Sequence, residues 1–162
     1  MSRPILEERA AAHGDALNLL RAAVAEAPGP EAAAQRVVEL LHDRFGHYDW
    51  VGVYWVDGDE LALGPWTGPE ATEHTRIPIG VGICGAAAQS GQTEIVEDVQ
   101  ADPRYLACFA STRSEIVVPI FDGGEVIGEI DVDGNDLDAF DEMDALFLEE
   151  VAALVAPLRP RP

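Results

Sequence analysis

The apolar positions in the first part of the chain recur with the period of an α-helix. Within residues 5–27, Leu17, Leu20 and Val24 fall on one stripe, and the segment APGP that follows ends the pattern. A second helix is predicted to begin at Pro30, because proline suits the first turn of a helix. Its apolar face consists of Ala34, Val37, Val38, Leu41 and Phe45.

Further along the chain the period changes to two, which is typical of β-strands. Two strands flank a turn predicted at Asp57-Gly58, and TRIPIG and TEIVEDV are predicted to be short strands. SEIVVPI and EVIGEIDVDG form a further pair, joined through FDGG. The segment GICGAAAQSG predicts a short helix that ends near Gly91, and residues 100–113 form a long connection.

A last helix is predicted over residues 141–158, with an inward face made of Met143, Leu146, Phe147, Val151 and Leu154. Helices first, strands in the middle and a helix last favour an α+β fold in which helices cover an antiparallel sheet. A length of 162 residues suits a single domain. We expect one domain over 1–162, with helices in 1–46, the sheet in 47–135 and the C-terminal helix in 141–158.

The balance of acidic and basic residues limits the classes of partner that the protein can bind. Thirty acidic residues stand against ten basic ones, all of them arginine, so the formal net charge is −20. Such a surface repels nucleic acids and anionic membranes, and we expect neither as a partner. The N-terminus lacks the apolar core of a signal peptide, so we expect a cytoplasmic protein. There, a bridge between the two cysteines would be catalytic or redox-sensing rather than structural.

The strand pattern places three carboxylates on one face. Glu115 shares a face of its strand with Val117, and Asp131 and Asp133 share a face of the next strand. A two-residue loop would pair Glu115 with the apolar face, so we predict a three-residue loop, 122–124, that pairs it with Asp131. Three crowded carboxylates raise at least one pKa, and a neutral acid can donate a proton. A solvated acidic face is the alternative.

The two cysteines flank this region. Cys84 lies near the N-terminus of the short helix, where backbone amides and the helix dipole lower the pKa of a thiol. Cys108 lies in the long connection near the acidic strand ends, which raise a thiol pKa unless local amides, Arg104 or Arg113 compensate. For either residue, a buried and inert thiol is the alternative.

Other motifs carry less weight. GVGICG, residues 80–85, matches a dinucleotide fingerprint but lies outside any strand–helix–strand unit. Residues 131–142 resemble a calcium loop but have Asp136 where that loop needs glycine. The four histidines show no zinc-ligand spacing, so no metal site is predicted. Trp50 and Tyr54 lie four apart on one strand, so they share a face and can line a pocket together.

Taken together, several segments resemble the GAF domains and, more closely, the free methionine-(R)-sulfoxide reductases. They are WVGVYWV, LALGPWTG, IPIGVGICGAAAQSG, IVEDV, YLACFASTRSEIVVPI and GEVIGEIDVDG. The resemblance runs from about Trp50 to the last helix. It implies a central antiparallel sheet with the N- and C-terminal helices packed on one face and a small-molecule pocket on the other.

The resemblance also assigns roles. Cys108 matches the cysteine of the family's AC motif and Cys84 that of its GVCG motif, while Glu115, Asp131 and Asp133 match the acids of SEIV and LDID. The aromatic residues of the family's WxGFY motif, which line the substrate pocket, correspond to Trp50 and Tyr54. The chain departs from the family in that Thr72 or His74 stands in place of a further cysteine and Phe109 in place of an aspartate. Glu129 and Gly134 are also atypical of the family.

The implied reaction is the reduction of free methionine (R)-sulfoxide to methionine. Cys108 thiolate attacks the sulfur while a carboxyl group donates a proton to the oxygen, and Cys84 then closes a disulfide. Thioredoxin or another external dithiol reduces that disulfide, and no bound cofactor is expected. The nucleophile is assigned to Cys108 because the acids lie beside it, although the helix position favours a lower pKa for Cys84.

Two other functions remain open. One is a GAF domain that senses a small molecule without turnover, and the other is a dimerisation domain built from the N- and C-terminal helices. A homodimer is compatible with either, and with the enzyme. Turnover of methionine sulfoxide distinguishes the reductase from both.

Overall fold

In the computed structural model, which describes residues 2–107 and 109–161, helices and strands occur in the predicted order. The described residues form four α-helices: α1 (Arg3–Glu26), α2 (Pro30–Arg44), α3 (Gly82–Ser90) and α4 (Glu142–Val155). The strands are β1 (Trp50–Asp57), β2 (Glu60–Thr67), β3 (Arg76–Pro78), β4 (Glu94–Val96), β5 (Ser114–Asp122) and β6 (Glu125–Gly134). Short 3-10 turns occupy Val99–Ala101 and Ala156–Leu158.

The strands form one antiparallel sheet in the order β3-β2-β1-β6-β5-β4. Helices α1, α2 and α4 pack on one face, where their apolar side chains join the inward residues of β1, β5 and β6 in the main core. Helix α3 packs on the opposite face with a second, smaller apolar cluster. The predicted α+β fold is confirmed. None of the described helices combines the length and apolarity needed to cross a membrane.

The start of α4 is tied to α1 by charged side chains. Asp141 caps α4 by accepting hydrogen bonds from the amides of Met143 and Asp144. Arg9 of α1 donates to both oxygens of the Asp141 carboxylate, at 2.6 and 2.8 Å. The predicted inward face of α4 is wrong at Leu146, which is 64% exposed, because the stripe turns towards residues such as Leu148.

Both hairpin turns differ from their predicted positions. The first lies one residue later than expected, since Asp57 pairs with Glu60. In the second, Asp122 pairs with Glu125, so the loop has two residues, Gly123 and Gly124, both with positive φ. The predicted three-residue loop is wrong, because two consecutive glycines satisfy a tight turn that needs two left-handed residues.

A β-bulge restores the alternation that the two-residue loop would otherwise reverse. Phe121 pairs with Val126, but Ile120 pairs with Gly128, so Ile127 is the extra residue on β6. Beyond this bulge Glu115 pairs with Asp133 rather than with Asp131. The predicted face is therefore confirmed, while the predicted partner is wrong by two residues.

Candidate active site

Three strands bring the acids and the aromatic side chains together on the face opposite α1, α2 and α4. Strand β6 lies between β1 and β5, so Trp50 is paired with Asp133 on one side and Glu115 is paired with Asp133 on the other. Tyr54 pairs with Glu129. These side chains are all buried, with exposed fractions between 0% and 5%. The alternative of a solvated acidic face is therefore wrong.

The Trp50 indole forms an apolar wall of the site, and its position depends on the lack of a side chain at Gly52. Gly52 pairs with Asp131, and a Cβ atom added to Gly52 would lie 2.4 Å from Cη2 of the Trp50 indole. The indole lies nearly parallel to Trp66, with ring centroids 6.1 Å apart, and it is tilted against Phe109 at 5.8 Å. Its Nε1 atom is buried without a hydrogen-bonding partner among the described residues.

Tyr54 connects the sheet to two loops. Its hydroxyl donates to the carbonyl of His74 at 2.8 Å, and the His74 amide donates to Oγ1 of Thr72 at 3.0 Å. The His74 Nε2 atom lies 3.2 Å from the carbonyl oxygen of Ala107. His74 thus links Tyr54 of the sheet to Thr72 and to the backbone carbonyl of Ala107.

Cys84 faces the acids from the first turn of α3. It is 6% exposed, and its thiol donates to Oε1 of Glu115 at 3.8 Å. Burial raises the pKa of Cys84 well above the ordinary value of a thiol, and Asp131, Glu129 and Glu115 raise it further. The expected lowering by the helix terminus is wrong, because burial and three carboxyl groups outweigh the helix amides.

The carboxyl groups hold their protons more tightly than exposed acids do. Burial, and then the nearby Asp131, raise the pKa of Glu129 and of Asp133 well above their ordinary values. Burial also raises the pKa of Asp131, although hydrogen bonds with Glu115 and Cys84 oppose the rise. The predicted rise of at least one carboxyl pKa is confirmed. Such a cluster can supply both a neutral acid and an ionised acid.

A small cavity opens onto this cluster. Its volume is about 20 Å³, and Cys84, Glu115 and Asp131 line it together with the tyrosines Tyr54 and Tyr105. The apolar lining includes Leu106, which also packs against Gly82. A cavity of this size admits about one water molecule. A larger ligand requires covering side chains such as Leu106 to move.

The structure thus brings six of the seven predicted site residues to one face. The predicted nucleophile, Cys108, lies outside the described residues. Glu129 was noted in the sequence but not assigned to the site, although it alternates with Asp131 and Asp133 along one strand. The alternation predicts that Glu129 lies on the same face of β6 as the two aspartates. In the structure Glu129 lies there and is 0% exposed.

Comparisons with known proteins agree with this geometry. The family model of the GAF domain matches residues 29–157. GAF domain-containing protein A of Dictyostelium discoideum is 42% identical over 120 residues, which are 74% of each chain. The free methionine-R-sulfoxide reductase of Escherichia coli (strain K12) is 36% identical over 114 residues, 70% of this chain and 68% of that one.

Solved structures give the same result. Free methionine-R-sulfoxide reductase from Neisseria meningitidis, in complex with its substrate, matches with a TM-score of 0.84 at 42% identity, over 90% of this chain and 87% of that one. The substrate complex of the Staphylococcus aureus protein fRMsr matches with a TM-score of 0.75 at 35% identity, over 87% and 94%. The chain therefore belongs to the GAF domain family, and the relatives that it resembles over most of its length include free methionine-R-sulfoxide reductases.

Proposed function

We propose that this protein reduces free methionine-(R)-sulfoxide to methionine with a cysteine thiol. The observation that carries the proposal is the buried cluster of acids beside Cys84 and the Trp50 wall. This arrangement places carboxyl groups that can donate protons beside an apolar surface. A methionine sulfoxide needs both, because its oxygen must be protonated and its S-methyl group packs against apolar side chains. Relatives at 36% and 42% identity are named for this reaction.

The acids suit both ends of the substrate. A free amino acid carries an ammonium group, which an ionised carboxylate can bind, and its sulfoxide oxygen needs a proton donor. Burial raises the pKa of Asp133 and of Glu129, which favours the neutral form of each carboxyl group, so either residue suits the role of such a donor. The N–H of Trp50, which has no hydrogen-bonding partner among the described residues, offers a further donor. The enclosed site favours a free amino acid over a residue within a polypeptide.

The chemical step transfers one oxygen atom. The Cys108 thiolate attacks the sulfoxide sulfur, a carboxyl group protonates the oxygen, and methionine leaves while Cys108 becomes a sulfenic acid. The Cys84 thiol then displaces that hydroxyl as water and forms a disulfide with Cys108. An external dithiol such as thioredoxin then reduces this disulfide, becomes oxidised itself and restores both thiols. The raised pKa of Cys84 supports its role as the second thiol rather than the first.

The test is a single-turnover experiment without added reductant. The reduced protein is mixed with one diastereomer of free methionine sulfoxide at a time, and methionine and remaining thiols are measured. About one methionine per chain from the R form, with both thiols lost, is the expected result. Cys108→Ser should produce no methionine. Cys84→Ser should produce methionine with the loss of one thiol only.

Three results would contradict the proposal. Turnover that persists in Cys108→Ser would remove Cys108 as the nucleophile. Reduction of the S form alone would overturn the stated substrate. Binding of methionine sulfoxide without methionine formation would favour a sensor domain instead of an enzyme.

A further inference from the structure

The acid cluster contains a set of donor atoms suited to a metal ion. One sulfur atom of Cys84 and one carboxylate oxygen each from Glu115 and Asp131 lie within 4.8 Å of one another, and all three residues are buried. The same three residues are among those that line the small cavity. Its volume of about 20 Å³ suits a single ion or water molecule.

A second, independent observation concerns hydrogen bonds that the cluster leaves unmade. Oδ1 of Asp131 and Oδ1 of Asp133 are buried and lack a hydrogen-bonding partner among the described residues. Glu129 is 0% exposed, and the weakly donating Cys84 thiol is the one donor that approaches it among those residues. No ion pair within the described part of the chain reaches these three residues. Buried carboxyls without partners are costly, and a bound cation satisfies them.

We propose that the reduced protein binds one thiophilic divalent cation of the zinc class through Cys84, Glu115 and Asp131. The ion occupies the cavity and excludes methionine sulfoxide from it. The metal site rests on the donor atoms and the unpartnered carboxyl oxygens, whereas the exclusion of substrate rests on the proposed function. On binding, the ion exchanges bound water for the three ligands, and the metal–sulfur bond forms as the Cys84 thiol releases its proton to solvent together with any proton that the Asp131 carboxyl holds.

The donor set selects the kind of ion. With bonds of about 2.3 Å to sulfur and about 2.1 Å to oxygen, a tetrahedral zinc ion places its sulfur and oxygen ligands about 3.6 Å apart. The Cys84 Sγ and Glu115 Oε1 atoms are already 3.8 Å apart. Calcium and magnesium prefer six or more oxygen ligands and do not select a thiolate. A water molecule or a carboxyl of Asp133 or Glu129 can complete the tetrahedron.

No motif in the sequence predicts this site. Its ligands come from α3, β5 and β6, and none of them is a histidine at a recognisable spacing. Only the fold brings Cys84 within reach of acids that are 31 or more positions away along the chain.

Cadmium provides a direct probe, since a cadmium–thiolate bond absorbs in the ultraviolet. The reduced full-length protein is titrated with Cd²⁺ in the absence of oxygen and of substrate, and zinc competition gives the zinc affinity. We expect one ion per chain and a thiolate band in the wild type and in Cys108→Ser. The band should disappear in Cys84→Ser. Asp131→Asn and Glu115→Gln should each weaken binding by about tenfold or more.

Glu125→Gln serves as the matched control, because Glu125 is an exposed acid at the start of the same strand as Asp131. It should bind the ion as the wild type does. Circular dichroism establishes that each variant is folded, and the two carboxyl variants test the site if Cys84→Ser does not fold. Absence of the band in the wild type, or a band that follows Cys108 instead of Cys84, would overturn the proposal. So would equal weakening by Glu125→Gln.

A competition arm separates the two proposals. Methionine sulfoxide should raise the apparent dissociation constant of Cd²⁺, and Zn²⁺ should inhibit methionine formation competitively. A protein that binds the ion at Cys84 but forms no methionine would retain the metal site and lose the proposed function. A protein that forms methionine but binds no ion would do the reverse.

Discussion

Gly52 shows how one residue can shape the candidate pocket. It is paired with Asp131 on β6, and the Trp50 indole lies across the space where a side chain would be. A glycine here is needed for close packing rather than for an unusual backbone conformation, since its φ is not positive. The position of the Trp50 indole therefore depends on the absence of a Cβ atom at Gly52.

Gly52→Ala should displace the Trp50 indole, because its new Cβ would lie 2.4 Å from the ring. We expect a loss of about 1–3 kcal/mol in the free energy of unfolding, as for other overpacked cores. We also expect a higher KM for methionine sulfoxide. Urea denaturation and steady-state kinetics measure the two effects.

Gly14→Ala is the control for Gly52→Ala. Gly14 lies in α1, and beyond its chain neighbours and its own helix backbone no described atom lies within 4 Å of the added Cβ. Alanine should therefore stabilise the helix by about 0.5–1 kcal/mol and leave KM unchanged. Equal effects of the two substitutions on stability would show that the contact between Gly52 and Trp50 does not shape the site.

A second effect at the residue scale concerns His13 and pH. The imidazole stacks on Phe147 with ring centroids 4.4 Å apart, and burial lowers its pKa from the ordinary value near 6.5. Asp144 opposes this lowering, while Arg9 and His47 add to it. The folded state therefore takes up a proton at His13 less readily than the unfolded state does.

Acidification should for this reason destabilise the protein through His13. The contribution of His13 is fully present above about pH 6.5 and is lost as the pH falls towards the lower pKa of the folded state. His13→Phe retains an aromatic ring and cannot titrate, so its free energy of unfolding should fall less between pH 7 and pH 5. Parallel curves for the two proteins, measured by urea denaturation, would contradict this assignment.

At the scale of elements, the β5–β6 hairpin separates what the sequence determines from what it does not. The alternation of polar and apolar residues was enough to predict that Glu115, Asp131 and Asp133 share a face. It could not give the partner of each residue, because the Gly123-Gly124 turn and the bulge at Ile127 shift the register by one residue each. Alternation determines parity alone, and any even shift satisfies it.

The pKa of Cys84 was mispredicted for a similar reason. Its place in the first turn of α3 is visible in the sequence, but the acids that face it come from β5 and β6. Helix position is a local property, whereas the charge environment depends on which strands lie opposite. Local patterns alone therefore gave the wrong direction for this thiol.

The start of α4 offers a prediction about an element. Asp141→Ala removes the helix cap together with the ion pair between Asp141 and Arg9, and should cost about 1–2 kcal/mol of stability. Asp141→Ser keeps a capping hydroxyl but removes the ion pair, so it should cost less. Thermal unfolding of both variants measures the difference. If serine is as destabilising as alanine, the pair with Arg9 rather than the cap holds the helix start.

At the scale of the whole molecule, the order of elements and the helix-covered face were predictable, because each follows from local periodicity and from the need to bury apolar stripes. The excess of acidic residues was equally visible in the sequence, but the division of these residues between the surface and the interior was not. Four of the acids lie buried on β5 and β6, while others lie on the surface. Composition could therefore indicate repulsion between charges, yet could not distinguish a solvated face from an acidic pocket.

The net charge makes a last prediction, about salt. Thirty acids against ten arginines leave most surface carboxylates without a cationic partner, so repulsion should outweigh attraction in pairs such as Arg76–Asp57. Raising NaCl from about 0.01 M to about 0.15 M shortens the Debye length from about 30 Å to about 8 Å and screens that repulsion. The midpoint of thermal unfolding should rise by a few degrees, since about 1 kcal/mol corresponds to roughly 2–4 °C in a chain of this size.

The salt experiment needs monovalent ions alone, because divalent cations of the zinc class would occupy the proposed metal site and stabilise the fold by binding. KCl at equal ionic strength should give the same rise as NaCl, since screening depends on ionic strength and not on the identity of the cation. A different rise with the two salts would indicate specific ion binding. A fall in the midpoint would mean that attractive surface pairs, which salt weakens, contribute more to stability than the repulsion among the acids does.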